Sequence, residues 1–136
     1  MLHNLLSSIN DVNYKFIRAF DEPGRFFIKY SGPKISKPKR VGFFEVDSFD
    51  FKLYSELIGD VVPLSNIEVL EAHRRNGHCL NTVSLIINNV KGYYDKLVVS
   101  NLEDRGVWEG VVQKLGVNYE FKRFYDSFED LVIDLG

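Results

Sequence analysis

The sequence predicts a single mixed α/β domain spanning residues 1–136, antiparallel before residue 50 and carrying a parallel β-α-β unit in its middle. Three observations predict it. Aromatic and β-branched runs separated by glycine- and proline-bearing breaks fill residues 14–46, the pattern of hairpins. Between residues 67 and 100 the apolar positions take on a helical period flanked by two short apolar runs. At 136 residues, 45% of them hydrophobic, the chain has the length of one domain and can bury a core without metal or disulfide staples.

Leu2, Leu5, Leu6 and Ile9 recur at helical spacing and predict a short helix ending at Asn10-Asp11. Residues 14–20 and 25–30 read as strands joined by Asp21-Glu22-Pro23-Gly24, a turn whose proline presets φ and whose glycine permits the reversal. A break holding Gly32, Pro33 and Pro38 precedes a third strand at residues 41–46. Phe51, Tyr54, Leu57 and Ile58 predict a short helix closed by Gly59, with Pro63 in the following loop. Residues 67–70 form a strand, and Leu80, Val83, Ile86, Ile87 and Val90 mark one face of the next helix. Residues 96–100 are a second strand, expected to lie parallel to residues 67–70 through a right-handed crossover. Asn101 is placed to cap a helix that buries Val107, Val111 and Leu115 and stops at Gly116. Val117, Tyr119 and Phe121 alternate with polar residues, and residues 131–135 complete a closing hairpin. Most of Phe16, Phe20, Phe26, Phe27, Phe43, Phe44, Phe49 and Phe51 are expected in the core.

Composition narrows the function. The 17 basic and 19 acidic residues nearly cancel, so nucleic acid is not the expected partner. Lys34, Lys37, Lys39 and Arg40 around Pro38 read first as a solvated loop, and less strongly as a surface for nucleic acid or an acidic partner. A lone cysteine, Cys79, fits a reducing compartment, and the cytoplasm is the expected location. The N-terminus lacks a basic region and cleavage site, and no run reaches the roughly 18 apolar residues that span a bilayer, so no membrane role is expected. His73 and His78 have no third ligand at a suitable spacing, so no metal is expected.

One motif stands out. Arg74-Arg75-Asn76-Gly77-His78-Cys79 joins an apolar strand to an amphipathic helix. Gly77 lets the backbone turn and approach a ligand closely, and the helix start presents unpaired amides suited to phosphate. The single glycine excludes the dinucleotide fingerprint, and no Gly-Lys-Ser/Thr follows to make a Walker loop. Cys79 at this helix start could be an activated thiol, although a small residue filling a glycine-like site is the simpler reading.

At these residues the chain resembles the GNAT superfamily of N-acetyltransferases, whose acetyl-CoA motif reads Gln/Arg-x-x-Gly-x-Gly/Ala after an apolar strand. Arg74 and Gly77 match it, Val69 sits where the family's strand carries valine, and Cys79 replaces the last small residue. Asn101 and the run Gln113-Lys114-Leu115-Gly116 extend the resemblance, which covers residues 61 to 123. It implies a central mixed sheet with flanking helices, acetyl-CoA as cosubstrate, and direct attack by an amine acceptor, either a small molecule or a protein. The pyrophosphate would rest on the amides of Arg75, Asn76, Gly77, His78, Cys79 and Leu80, with Val69 offering a strand edge where the two parallel strands splay. A homodimer is compatible with the resemblance. The family's helix tyrosine is replaced by Val112, and a glutamate used as base in its second strand by Lys96. Glu68, expected to be partly buried, is then the leading general base. Glu45, Asp47 and Glu71 are alternatives to it, Ser100 a relay, and Tyr93, Tyr94, Tyr119 or water the proton source for the thiolate. The alternative reading is a catalytically degenerate protein of this fold acting as an interaction or structural module.

Overall fold

The computed structural model describes residues 2–33, 37–46, 59–100, 102, 104–123 and 129–136. In chain order, among these residues, α1 (Leu2–Ser7) precedes the antiparallel strands β1 (Tyr14–Arg18), β2 (Arg25–Tyr30) and β3 (Lys39–Val46). Then come β4 (Val61–Val69), α2 (His78–Val90), β5 (Lys96–Ser100), α3 (Arg105–Leu115), β6 (Tyr119–Lys122) and β7 (Asp130–Asp134). The strands form one sheet in the order β1-β2-β3-β4-β5-β7-β6, with β4–β5 parallel and every other pair antiparallel. The expected mixed α/β class is therefore the observed one, and no helix among the described residues is long and apolar enough to cross a membrane.

The three helices share one core. Leu2 and Leu6 of α1, Val83, Ile86 and Val90 of α2, and Trp108 and Val112 of α3 pack with alternate residues of the sheet, such as Phe16, Phe26, Phe44, Leu64 and Leu97. Phe44 stacks on Phe26 with ring centroids 5.3 Å apart and meets Phe16 edge-on at 5.1 Å. Val61, Val98 and Val132 form a separate small cluster on the other face. Not every expected core position is inside. Phe20 is fully exposed, because β1 ends at Arg18 and residue 20 falls in the hairpin turn. Phe49 and Phe51 lie outside the described residues, as does the helix expected around Tyr54 and Leu57.

Two expectations fail, one in β4 and one in α3. Pro63 lies inside β4, because the strand starts at Val61 and not at residue 67. Residues 61–65 are buried on both faces and so lack the alternation that marks a half-exposed strand. Pro63 pairs with Val98 of β5 in the parallel ladder. On α3, Val107 is 55% exposed and the buried stripe runs through Trp108, Val111 and Val112. Steps of four drift off a 3.6-residue repeat, whereas offsets of three and four stay on it.

Candidate functional site

The site follows from a mismatch between the two neighbours of β4. Its parallel pairing with β5 uses residues 61–65, from Val61↔Lys96 to Ser65↔Ser100, and not the expected 67–70. Beyond Ser65, β4 continues beside β3 alone, with Phe43 opposite Glu68 and Gly42 opposite Val69. The parting is marked by Asn66, a non-glycine residue at φ 51°, and by a register shift between Phe43 and Glu45. Gly42 permits it, since a Cβ there would overlap the Glu68 carbonyl oxygen. Among the described residues, 66–69 thus offer an edge without a β5 partner, in the region where the resemblance implies a splay.

Past this edge the chain makes a short 3-10 turn, Glu71–His73, and enters α2 through residues 74–77. Gly77 at φ 78° precedes the helix, and Arg75 at φ 67° is a second left-handed residue in the same turn. A non-glycine residue in that region costs about 1–2 kcal/mol, so the turn holds strain where a ligand contact is expected. No side chain caps the start of α2. The first bond of the helix runs from the Asn81 amide to the Gly77 carbonyl at 2.9 Å, so the amides before it have no partner within the helix.

The expected site residues divide by the direction of their side chains. Arg74, Arg75 and Asn76 are exposed around the turn. Arg74 Nε donates to the Val69 carbonyl at 3.0 Å, so the edge acceptor is held by this guanidinium. Leu80 is half-buried against the core, leaving only its backbone for an anion. His78 also turns inward and is 5% exposed. Its Nδ1 lies 2.7 Å from the Tyr14 hydroxyl, and its ring packs on Tyr30 with centroids 4.7 Å apart. Asn81 Nδ2 donates to the same Tyr14 oxygen at 3.3 Å, so the three side chains form one hydrogen-bonded group. Burial lowers the His78 pKa, helped by the neighbouring His73, and burial raises that of Tyr14. Spacing could not have found this trio, because Tyr14 and His78 are 64 residues apart. Asn81 on the same side of the helix as His78 was the one local signal. Cys79 is half-buried with its thiol pushed up to about 11 by burial, which overturns the activated-thiol expectation and supports the small-residue reading. Asn101 lies outside the described residues, and the cap of α3 is Asp104, whose carboxylate accepts from the Val107 amide at 3.3 Å.

The acid and base candidates also scatter. Glu68 does not have the partial burial expected of it: its side chain is 54% exposed and stands 4.0 Å from Arg74 Nη2. Glu71 is in the exposed turn after β4 and not on the strand. Glu45 is bound by Arg25 Nη2 at 3.0 Å, and Asp47 lies outside the described residues. Ser100 is buried, and its hydroxyl makes a long bond of 3.4 Å to the Leu64 carbonyl at the point of divergence. Tyr93 and Tyr94 precede β5, and Tyr119 sits opposite Ile133, whose other neighbour is Leu97, so all three lie toward the far end of β5. Val112 is fully buried and Lys96 is paired with Asp134 at 3.4 Å. Among the described residues no group of three or more His, Cys, Asp or Glu side chains could hold a metal.

No protein-family model and no curated protein matches the chain. Solved structures do. A GNAT-family acetyltransferase from Listeria monocytogenes superposes with a TM-score of 0.58 at 11% identity, over 82% of this chain and 64% of that one. Spermidine N-acetyltransferase from Vibrio cholerae, solved with CoA and spermine, gives 0.51 at 11% identity, over 80% of this chain and 62% of its own. A CoA-dependent acyl-homoserine lactone synthase gives 0.51 at 12%, over 88% and 67%. This chain thus spans 64% of the length of the first of these structures. At such identities the likeness is one of architecture, and the chain has the fold of the GNAT-family acetyltransferases.

Proposed function

We propose that this chain is a single-domain N-acetyltransferase that uses acetyl-CoA to acetylate an amine of a small molecule or a protein. The observation that carries the reading is the uncapped helix start at Gly77 lying just beyond a β4 edge that outruns its parallel partner. A diphosphate suits the first, through oriented amides and the positive helix end, and an amide-bearing chain suits the second. The amides from Asn76 to Leu80 would hold the diphosphate, with Arg74 and Arg75 adding charge at the rim. Val69 would accept a hydrogen bond from the pantetheine once Arg74 turns away from its carbonyl. Acetyl-CoA supplies the activated acetyl group. Glu68, exposed beside the edge, is the proposed base that takes a proton from the attacking amine directly or through one water. The unpaired Cys79 supports a reducing, cytoplasmic setting.

The buried Val112 and the ion-paired Lys96 favour one second reading, a protein of this fold that binds the cofactor without turning it over. A melting scan with acetyl-CoA, followed by thiol-release assays on small amines and lysine peptides, separates the two. A melting shift with thiol release supports the transferase. A shift without release supports the degenerate module, and no shift at millimolar acetyl-CoA overturns both uses of the turn.

A further inference from the structure

The sheet face turned away from α1, α2 and α3 carries a row of cations across β1, β2 and β3. Tyr14, Phe16, Phe26, Ile28 and Phe44 belong to the helix-facing core, so the alternate positions Lys15, Ile17, Phe27, Lys29 and Phe43 look the other way. Lys15 is directly opposite Lys29, and Lys29 is directly opposite Arg40, whose guanidinium lies over the Phe27 ring of the same face. Like charges so placed destabilise a sheet. Among the described residues none of these cations, nor Lys37, has a carboxylate within ion-pair distance.

A concavity of about 620 Å3 lies against the row, its lining including Lys15, Lys29 and Lys37 with Val12, Ile17 and Pro38, and one carboxylate, Asp11, which accepts from the Asn13 and Tyr14 amides at 3.0 and 3.1 Å. Val12 is 92% and Ile17 45% exposed beside it. Among the described residues the strand at its side is open. β1 is an end strand of the sheet, and the Asn13 carbonyl and Ala19 amide both bond toward β2 at 2.8 Å. Alternation therefore turns the backbone groups of Phe16 and Arg18 to the free edge.

We propose that this edge and its cationic groove dock an extended acidic peptide segment of a partner protein, which adds to β1 as a further strand. The backbone of β1 supplies the pairing, Val12, Ile17 and Pro38 take the peptide's apolar side chains, and the lysines select acidic ones. Nucleic acid suits the surface less well. Its stacking platforms, Phe27 and Phe43, are already covered by Arg40 at 3.7 Å and Arg25 at 4.6 Å.

The test titrates the intact chain with a labelled peptide repeating Glu-Thr-Val-Thr, which brings both Glu and Val to the one face that meets the groove (the Glu-Val peptide), its Gln-for-Glu counterpart (the Gln-Val peptide), and an oligothymidylate. The Glu-Val peptide should bind at least about tenfold tighter than either alternative, weaken with salt, and protect the Phe16 and Arg18 amides from exchange. Lys15→Glu should lower that affinity by about tenfold or more while raising the melting temperature, because it turns a like-charge pair with Lys29 into an opposite-charge one. Lys37→Glu, outside the strands, should weaken binding at unchanged melting temperature. Equal binding of the Gln-Val peptide, tighter binding of the oligothymidylate, absence of binding, or a folded Lys15→Glu variant that binds like the parent would each overturn the proposal.

Discussion

Helices α2 and α3 lie against the same face of the sheet and begin in opposite ways. At α3 the Asp104 carboxylate accepts from the Val107 amide, and Gly116 at φ 66° closes the other end through bonds to the Val112 and Gln113 carbonyls. Both ends are satisfied from within the chain. At α2 the residue before the helix is a glycine with no side chain to offer, held at φ 78°. A helix start without a side-chain cap leaves its first amides to water or an external anion, and two left-handed residues stand in the turn before it. The difference separates a helix start capped from within the chain from one whose capping falls to the ligand proposed there.

The largest effect that would break this comparison is at Gly77. Acetyl-CoA at about 100 times its dissociation constant should stabilise the parent by about 2.7 kcal/mol in a melting scan. Gly77→Glu, bringing a Cβ into the left-handed region and a negative charge to the amides, should abolish that shift. Gly77→Asn, which tolerates the same φ, should keep much of it. Next comes the body of α3. Val112→Ala removes two buried methyl groups and should cost about 2 kcal/mol by chemical denaturation, whereas Val107→Ala on the exposed side should stay within about 0.5 kcal/mol. Removing the cap with Asp104→Ala should cost about 1 kcal/mol and leave the acetyl-CoA shift as it was. An equal loss of the shift in this variant would erase the distinction between the two helix starts.

The smallest effect is in the pH profile. Burial, and next the neighbouring His73, hold the His78 pKa below its ordinary 6.5, so in the interval between the two values the unfolded chain binds a proton that the fold refuses. Stability from this group is complete above pH 6.5 and falls as pH drops from there through the lowered pKa. His3 is lowered in the same sense by burial and then by Arg18, so the informative quantity is the difference between parent and His78→Gln. The variant should lose less stability between pH 7 and pH 5 than the parent, measured by urea unfolding at each pH. Identical slopes would remove His78 from the account.

Much of the frame was legible in the residues. The hairpin at Asp21-Glu22-Pro23-Gly24, the helical stripe from Val83 to Val90 and the turn at Gly77 each follow from local chemistry, and each is where the spacing puts it. Glu68 and His78 show where that reading stops. Both are polar residues near the turn, and nothing within a few positions of either says which way its side chain goes. The fold sends Glu68 outward to Arg74 and His78 inward to Tyr14.

By itself, then, the sequence determined the order and type of the elements framing the site, because φ preferences, capping and apolar period act within a few residues of one another. Tertiary structure alone decided three things. It set the register of β4 on β5, and with it the edge at residues 66–69. It enclosed His78 between Tyr14 and Tyr30. It aligned Lys15, Lys29 and Arg40 across three strands. Each depends on which residues distant in the chain come to lie side by side, and that is fixed only when the whole sheet closes around its core.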